Sequence, residues 1–268
     1  SAVSQSIKTL ERKLEQPLFI RSTKKVKLTL AGELLLKHIE PAVNLIERGE
    51  HQLIDSSTLG LGRLHIGAND TICRYFLAPF LKQFHEKFPI KVTNATSLRC
   101  ADLLTQGKVD LIVTNFPNSR LSSSYIQKTV ASFTDVFIAN PACFPFEQQT
   151  VSFAELNQYP ILMLDKKCAT SEFLQHLFLQ RQLELIPEAE LSSNDLLIDL
   201  AKIGIGIAFI PDYCLTKDMT DLCILKTEEP MPARRIVAAV NPGLPLSPSA
   251  GEFLKLLPTY CEEDYHEI

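Results

Sequence analysis

Residues 1–32 read SAVSQSIKTLERKLEQPLFIRSTKKVKLTLAG, and this stretch predicts a helix, two short strands and the start of a second helix. In the first helix Ile7, Leu10 and Leu14 recur at helical spacing and form an apolar stripe. Side chains three and four positions apart are neighbours on a helix, so the opposite face is polar. That polar face carries Ser1, Ser4, Gln5 and Lys8.

The two predicted strands, 18–21 and 26–29, flank a basic tip. A polar helix face beside a basic hairpin suits double-stranded DNA, because a helix fits the major groove and cations bind the phosphates. We therefore predict that this part of the chain binds operator DNA. The predicted DNA-binding residues come from the helix face and the hairpin: Ser1, Ser4, Gln5, Lys8, Arg21, Thr23, Lys24 and Lys25.

The same stretch follows the pattern S-A-V-S-x-x-I-x-x-L-E-x-x-L, then L-F-x-R, a basic turn, and L-T-x-A-G. It closely resembles the second half of the winged helix-turn-helix of LysR-type transcriptional regulators. The resemblance makes residues 1–29 a partial DNA-binding domain that starts inside the recognition helix. The first two helices of that motif, about thirty residues, are expected to precede it.

Charge is distributed unevenly along the 268 residues, whose overall net charge is −4. Residues 1–29 hold seven Lys and Arg and two Glu, which leaves 20 basic and 29 acidic residues, a net −9, over 30–268. A basic N-terminal segment followed by an acidic remainder is typical of a DNA-binding segment joined to a domain that does not bind DNA. No apolar run approaches a membrane span and no signal peptide opens the chain, so we predict a cytoplasmic protein without a membrane partner.

Seven cysteines are spread along the chain without a C-x-x-C pair, which predicts reduced thiols. Cys168 follows Asp165-Lys166-Lys167, and nearby lysines can stabilise a thiolate. The peroxide-sensing branch of the LysR family has its reactive cysteine in a similar loop. The next cysteine is Cys214, so no resolving partner is close in sequence, and we prefer an ordinary thiol to a redox switch.

Residues 30–59 have a helical pattern in which Leu35, Ile39, Ala42 and Ile46 recur at spacings of four and three. This heptad-like seam predicts a helix that dimerises, and the alternative is a helix packed on its own domain. The charged flanks favour dimerisation, and the family resemblance implies a dimerising linker helix at the same place. Pro41 lies inside the helix and is expected to remove a hydrogen bond or kink it.

From residue 62 onward, predicted strands alternate with predicted helices, which indicates an α/β fold with parallel sheets. Family-like phrases recur in order, such as Gly62–Ala68, Leu77–Pro79, Gly107–Leu111 and Gly204–Pro211. They resemble the effector-binding domain of LysR regulators, which implies two lobes like those of a periplasmic-binding protein. The expected lobe I comprises 62–139 and 236–268, and the expected lobe II comprises 140–235.

Polar residues follow the predicted strands, and ligands of open α/β sheets bind beyond the carboxyl ends of the strands. Helix N-termini at these turns favour an anion, so we predict a small, anionic effector. The alternative role for each of these polar residues is to cap the helix that follows it, without contacting an effector. Asp70 would oppose an anion unless Lys166 or Arg74 offsets it. The predicted effector-binding residues are Asn69, Asp70, Thr71, Ser97, Asn115, Phe116, Lys166 and Ser193.

Signals for an enzyme are poor, and no catalytic residue is predicted. The six histidines show no H-E-x-x-H or paired spacing and there is no G-x-S-x-G elbow, so neither a metal nor another cofactor is expected. We predict a transcriptional regulator that forms a homodimer or homotetramer and is controlled by its effector. The rival interpretation is a free solute-binding protein or an enzyme on the same scaffold. The basic hairpin favours the regulator, because a solute-binding protein has no use for it.

Overall fold

The computed structural model describes residues 2–21, 25–59, 62–146, 150–216 and 219–260. The chain begins with a helix and an antiparallel hairpin in which Phe19 pairs with Leu28: α1 (Ala2–Leu14), β1 (Phe19–Arg21) and β2 (Val26–Leu28). Glu11 of α1 fixes the hairpin, because its Oε1 accepts hydrogen bonds from the backbone N–H groups of Leu18 at 2.8 Å and Phe19 at 3.2 Å. The helix and the two strands predicted for this segment are confirmed.

A single helix of 30 residues, α2 (Leu30–Leu59), follows the hairpin and contains Pro41. Thr29 caps it, since its hydroxyl accepts from the N–H of Gly32 at 3.0 Å. In its middle the helix contacts the next domain: Asn44 donates to the carbonyl of Gln106 at 2.6 Å, and Glu40 forms an ion pair of 2.6 Å with Lys108.

Lobe I is built on strands β3, β4, β5 and β12, which lie in the order β4-β3-β5-β12. The first three are parallel, and β12 is antiparallel to β5. A π-helical segment, Cys73–Leu77, joins α3 to α4 without a break. The elements are β3 (Leu64–Ala68), α3 (Asp70–Ile72), α4 (Ala78–His85), β4 (Ile90–Asn94), α5 (Ser97–Thr105), β5 (Leu111–Phe116), β12 (Ala233–Val240) and α9 (Pro248–Leu256).

Lobe II is built on strands β8, β9 and β10, with β8 parallel to both neighbours. The short strand β11 pairs antiparallel with residues 137–139 of the strand that connects the lobes, and in parallel with β7. The elements are β7 (Thr150–Val151), α6 (Phe153–Leu156), β8 (Ile161–Leu164), α7 (Ala169–Gln180), β9 (Ala189–Leu191), α8 (Asn194–Lys202), β10 (Ile207–Pro211), a 3-10 turn (Asp212–Cys214) and β11 (Cys223–Thr227).

One long strand, β6 (Ile126–Ala139), connects the lobes. Its first part pairs with β12 as far as Thr134, and from Asp135 onward it pairs with β10. The chain returns to lobe I between β11 and β12. The predicted fold class, an α/β fold with a partial winged helix-turn-helix, a linker helix and a two-lobed domain, is confirmed. The exact domain limits stay a prediction.

Each lobe has its own apolar core. In lobe I, Leu64, Ile66 and Phe253 are buried between the sheet and the flanking helices. In lobe II, Phe137, Phe178 and Phe209 are buried in the same way. Among the described residues, no helix is long and apolar enough to cross a membrane.

Candidate functional site

A cavity of about 390 Å³ lies between the lobes where their strands end, and we call it the strand-end cavity. Lobe I contributes the turns after β3 and β4, and lobe II contributes those after β8 and β9. Of the predicted effector-binding residues, four line it. The lining residues are Asn69, Asp70, Thr71, Asn94, Ala95, Thr96, Leu164, Asp165, Cys168, Leu191, Ser192 and Ser193.

On lobe I the lining side chains also begin helices. The carbonyl of the Asn69 side chain accepts from the N–H of Ile72 at 2.7 Å, and Thr96 accepts from the N–H of Arg99 at 3.3 Å. These are helix-capping bonds, so the cap interpretation holds for Asn69 and Thr96. Capping fixes the turns at the cavity wall without closing the cavity.

Ser97 lies in the wall of the cavity and does not line it. The sequence predicts a helix over 101–106, but α5 begins at Ser97, because Thr96 supplies the cap four residues earlier. Ser97 is only 1% exposed. Its hydroxyl accepts from the amide of Asn69 at 3.1 Å, and its carbonyl accepts from the amide of Asn118 at 2.9 Å. Direct contact between Ser97 and an effector is therefore not part of this arrangement.

On lobe II, Ser193 stands before α8, and its side chain makes no capping hydrogen bond to that helix. Ser193 lines the cavity, and its hydroxyl is not engaged in capping α8. Asp165 lines the cavity from the same lobe, and one of its carboxylate oxygens accepts from the N–H of Lys167 at 2.8 Å. The helix N-terminus is the anion-favouring element of the cavity.

The charged groups around the cavity differ from the prediction in one respect. Lys166 does not line the cavity, because its side chain is exposed and its ammonium lies 3.5 Å from the carboxylate of Glu190. Arg74 is paired too, at 2.9 Å from Asp195. Both cations that could offset Asp70 are therefore paired with other carboxylates. The described lining contains the carboxylates of Asp70 and Asp165 and no lysine or arginine.

Two further predicted residues lie elsewhere. Asn115 is buried, and its side-chain oxygen has no partner among the described residues. Phe116 lines a second, larger cavity of about 690 Å³, which we call the aromatic cavity. Its lining residues are Phe116, Pro117, Asn118, Ser119, Leu121, Ser123, Tyr125, Gln127, Ala169, Glu172, Phe173 and His176.

Hydrogen bonds cross between the lobes at both cavities. Beside the strand-end cavity, Asn194 donates to the hydroxyl of Thr71 at 2.8 Å, and Tyr75 donates to Asp195 at 2.5 Å. Beside the aromatic cavity, the hydroxyl of Ser119 donates to Glu172 at 2.9 Å. Side-chain hydrogen bonds therefore connect the two lobes beside each cavity.

A buried ion pair, which the sequence analysis missed, holds the joining strands together. Arg234, at the start of β12, donates to Asp135 at 2.7 Å, and their side chains are 1% and 0% exposed. The guanidinium lies 5.3 Å from the ring centre of Phe133 and 4.7 Å from that of Phe173. Burial raises the pKa of Asp135, and the neighbouring guanidinium opposes that rise.

Cys168 is buried at the N-cap of α7 and lines the strand-end cavity. Burial raises the pKa of its thiol, although backbone N–H groups of Thr170 and Ser171 oppose the rise. Lys166 is engaged with Glu190 and does not act on the sulfur as the sequence suggested. These contacts favour an ordinary thiol at Cys168 over a thiolate-based switch.

In the DNA-binding segment, Gln5 and Lys8 are exposed on α1, and Ser4 is half-buried. Arg21 is exposed on β1, with its guanidinium 3.7 Å from the carboxylate of Glu11. Lys25 is exposed next to β2. The other predicted contacts, Ser1, Thr23 and Lys24, lie outside the described residues.

The predicted dimer seam remains uncovered on α2. Ile39 is 41% and Ile46 is 64% exposed, Ala42 is exposed, and Leu35 is half-buried. The helix contacts its own lobe I through Glu40 and Asn44 instead. The two interpretations of the helix therefore apply to different faces, and the seam is left available for a second chain.

Among the described residues, no three His, Cys, Asp or Glu side chains cluster in a way that would hold a metal ion.

Comparison with known families assigns both parts of the chain. The model described as "LysR substrate binding domain" matches residues 58–262, and the model "Bacterial regulatory helix-turn-helix protein, lysR family" matches residues 1–33. A probable RuBisCO transcriptional regulator of Trichormus variabilis is 24% identical over 99% of this chain and 82% of its own length. The regulator AlsR of Bacillus subtilis is 26% identical over 78% of this chain and 70% of its own.

Solved structures share the fold. The regulatory domain of CcmR from Synechocystis PCC6803, in complex with 2-PG, matches 72% of this chain and 94% of its own, with 21% identity and a TM-score of 0.65. Full-length CbnR, complexed with its target DNA, matches 96% of this chain and 88% of its own, with 14% identity and a TM-score of 0.62. Since the family models cover both segments in the expected order, the chain belongs to the LysR family of transcriptional regulators.

Proposed function

We propose that this regulator binds a small effector in the strand-end cavity and thereby changes how it binds operator DNA in the cytoplasm. The observation that carries the proposal is a cavity between two lobes, lined by polar turns from both. A ligand that touches both lobes has a different affinity for each lobe arrangement, so it shifts the equilibrium between them. No catalytic role is assigned to the lining, and the activity proposed is binding alone.

The effector class that the lining favours is a small hydroxylated molecule with one anionic group. The first turn of α8, with the free hydroxyl of Ser193, suits the anion. The carboxylates of Asp70 and Asp165 suit hydroxyl donors and disfavour a second anionic group nearby. One structure of the same fold supports this class, because the effector-binding domain of QuiR is in complex with shikimate, a hydroxylated molecule with one carboxylate. The CcmR regulatory domain is in complex with 2-PG, which carries two anionic groups and lies outside the class.

The effector would act on a bond network that already links the lobes. Thr71 both lines the cavity and accepts from Asn194 of lobe II at 2.8 Å. A ligand group beside Thr71 therefore competes with, or reinforces, this contact. In a dimer held by the seam at Ile39 and Ile46, two DNA-binding segments lie at a fixed distance and orientation. A change in the lobes would alter that distance and orientation, and with it the binding to operator DNA.

The test uses a panel of hydroxylated molecules with one carboxylate or one phosphate group, which includes shikimate, and 2-PG is measured beside the panel as a compound with two anionic groups. Thermal unfolding of the regulator is recorded with each compound. Calorimetry then gives the affinity of any that stabilises it. The blocking variant is Asn94→Trp, which puts a large ring at an exposed position that lines the cavity. The control is Ser122→Trp, at an exposed position that lines neither cavity.

We expect at least one panel member to bind the unaltered protein and Ser122→Trp, and to lose its binding in Asn94→Trp. Binding that survives Asn94→Trp would remove the strand-end cavity as the site. If no compound of the panel binds, the proposed chemical class is wrong.

A further inference from the structure

We propose that the aromatic cavity is a second ligand site, which takes a planar aromatic molecule that carries a positively charged amine. The cavity has about 690 Å³ of space. That volume lies within the range of about 300–1,000 Å³ typical of small-molecule sites. The proposal concerns a site apart from the strand-end cavity and does not depend on the effector proposed there.

Three rings that line the cavity are held in place by contacts outside it. Tyr125 shares a hydrogen bond of 2.7 Å with the hydroxyl of Thr105. The ring centre of Phe116 lies 5.1 Å from the guanidinium of Arg235, and that of Phe173 lies 4.7 Å from the guanidinium of Arg234. Neither arginine lines the cavity. Fixed rings favour an aromatic ligand, because an offset-stacked or edge-to-face ring contact requires little further ordering.

The charge in the lining selects an amine. Glu172 supplies the one carboxylate of the described lining, and no lysine or arginine is part of it. One Glu172 oxygen accepts from Ser119 at 2.9 Å, and a carboxylate has acceptor positions beyond this bond. His176, which also lines the cavity, is hydrogen-bonded to Gln180 at 2.8 Å. An ammonium group therefore pairs with Glu172, whereas a carboxylate on the same ring would be repelled.

The two cavities are separate but adjacent. No described residue lines both. Ser97 stands between them, bonded to Asn69 on one side and to Asn118 on the other. The N-terminus of α7 belongs to both walls, since Cys168 lines one cavity and Ala169 lines the other.

Both lobes contribute to the aromatic cavity, through the segment after β5 in lobe I and α7 in lobe II. The bond from Ser119 to Glu172 spans this boundary. An amine that binds Glu172 acts directly on a contact between the lobes. Its binding is therefore coupled to that of any ligand that prefers one lobe arrangement, and the coupling is reciprocal.

The test measures the binding of tyramine, a phenol ring with an ammonium group, and of 4-hydroxyphenylacetate, the same ring with a carboxylate. Calorimetry is run on the unaltered regulator and on three variants. Ser123→Trp fills the cavity from an exposed lining position, and Ser122→Trp is its neighbour outside the lining. Glu172→Gln removes the charge and keeps an acceptor for Ser119.

We expect tyramine to bind more tightly than 4-hydroxyphenylacetate, and Ser123→Trp to abolish tyramine binding that Ser122→Trp retains. Glu172→Gln is expected to lower the affinity for tyramine about tenfold, which corresponds to the loss of one hydrogen bond to a charged group. Equal affinities for the two compounds, or unchanged binding in both Ser123→Trp and Glu172→Gln, would overturn the proposal. So would the absence of tyramine binding to the unaltered protein. Asn94→Trp is expected to leave tyramine binding intact, which separates this result from a failure at the strand-end cavity.

Discussion

Replacing Arg234 with methionine is the perturbation whose size follows most directly from the structure. Arg234 and Asp135 are buried together where β6 passes from one lobe to the other. Methionine fills much of the same space but cannot pair with a carboxylate. The substitution therefore leaves Asp135 buried without its partner.

Removing one member of a buried pair costs about 3–5 kcal/mol of the free energy of unfolding, because the remaining charge loses its partner but stays out of water. We expect Arg234→Met to lose an amount in this range at neutral pH. The double variant Arg234→Met/Asp135→Asn should recover part of it, since the asparagine carries no charge.

The loss should depend on pH. Burial already raises the pKa of Asp135 in the folded protein, and removing the guanidinium that opposes this rise moves the pKa higher still. A carboxyl whose folded pKa lies above its unfolded pKa favours folding at low pH, and that contribution is lost as pH rises through the folded pKa. The loss of free energy of unfolding in Arg234→Met should therefore become smaller as the pH is lowered.

The assay is urea unfolding followed by circular dichroism at pH 5 and pH 7.5. The control is Glu252→Gln, which breaks the exposed pair with Lys255. Exposed pairs contribute only about 0–1 kcal/mol, so this control should remain close to the unaltered protein. A loss below about 1 kcal/mol for Arg234→Met, or a deficit that grows on acidification, would refute the assigned role of the pair.

Three other predictions concern DNA binding and assembly. Replacing Lys24 and Lys25 with alanine should weaken binding to every operator sequence and reduce the slope of log affinity against log salt by about one per lost phosphate contact, measured by anisotropy. Gln5→Ala should instead relax the preference at one operator position by roughly 1–3 kcal/mol, and an equal loss on all operator variants would make it a backbone contact. Replacing both Ile39 and Ile46 with aspartate should give a monomer in sedimentation, because charged side chains cannot pack in an apolar seam. A dimer that persists in this variant would show that the seam is not the dimer contact.

Regular elements with clear periodicity could be predicted from the sequence. Strands β1 (Phe19–Arg21) and β2 (Val26–Leu28) lie within the predicted 18–21 and 26–29, and α2 covers Leu30–Leu59, where the sequence has its helical pattern. In these elements, the local pattern and the tertiary packing agree. The capping residue Thr29 stands just before an apolar-periodic run, which is a local signal for the start of a helix.

The long strand β6 could not be found in this way. It carries Asp135 in its interior, and a buried carboxylate argues against a central strand unless a partner is known. That partner, Arg234, lies 99 residues further along the chain. The information that makes this segment a strand is therefore tertiary.

The candidate site was predicted in part, for a similar reason. The positions of Asn69, Thr71 and Ser193 at the cavity follow from strand ends, which the alternation of strands and helices reveals. Ser97 and Lys166 follow the same rule, yet neither lines the cavity. Their side chains are directed by individual hydrogen bonds and ion pairs, which strand order does not determine.

The proposed regulation requires that a ligand in the strand-end cavity changes operator binding. The direct measurement is the anisotropy of labelled DNA, selected by the full-length regulator from a random pool, with and without the panel compound that stabilises the protein. We expect the compound to change the operator affinity by about 5- to 150-fold, the usual range of coupling between two sites. Asn94→Trp should bind the same DNA with an affinity that the compound does not alter. A compound that binds in the cavity and leaves the operator affinity of the unaltered regulator unchanged would contradict the claim.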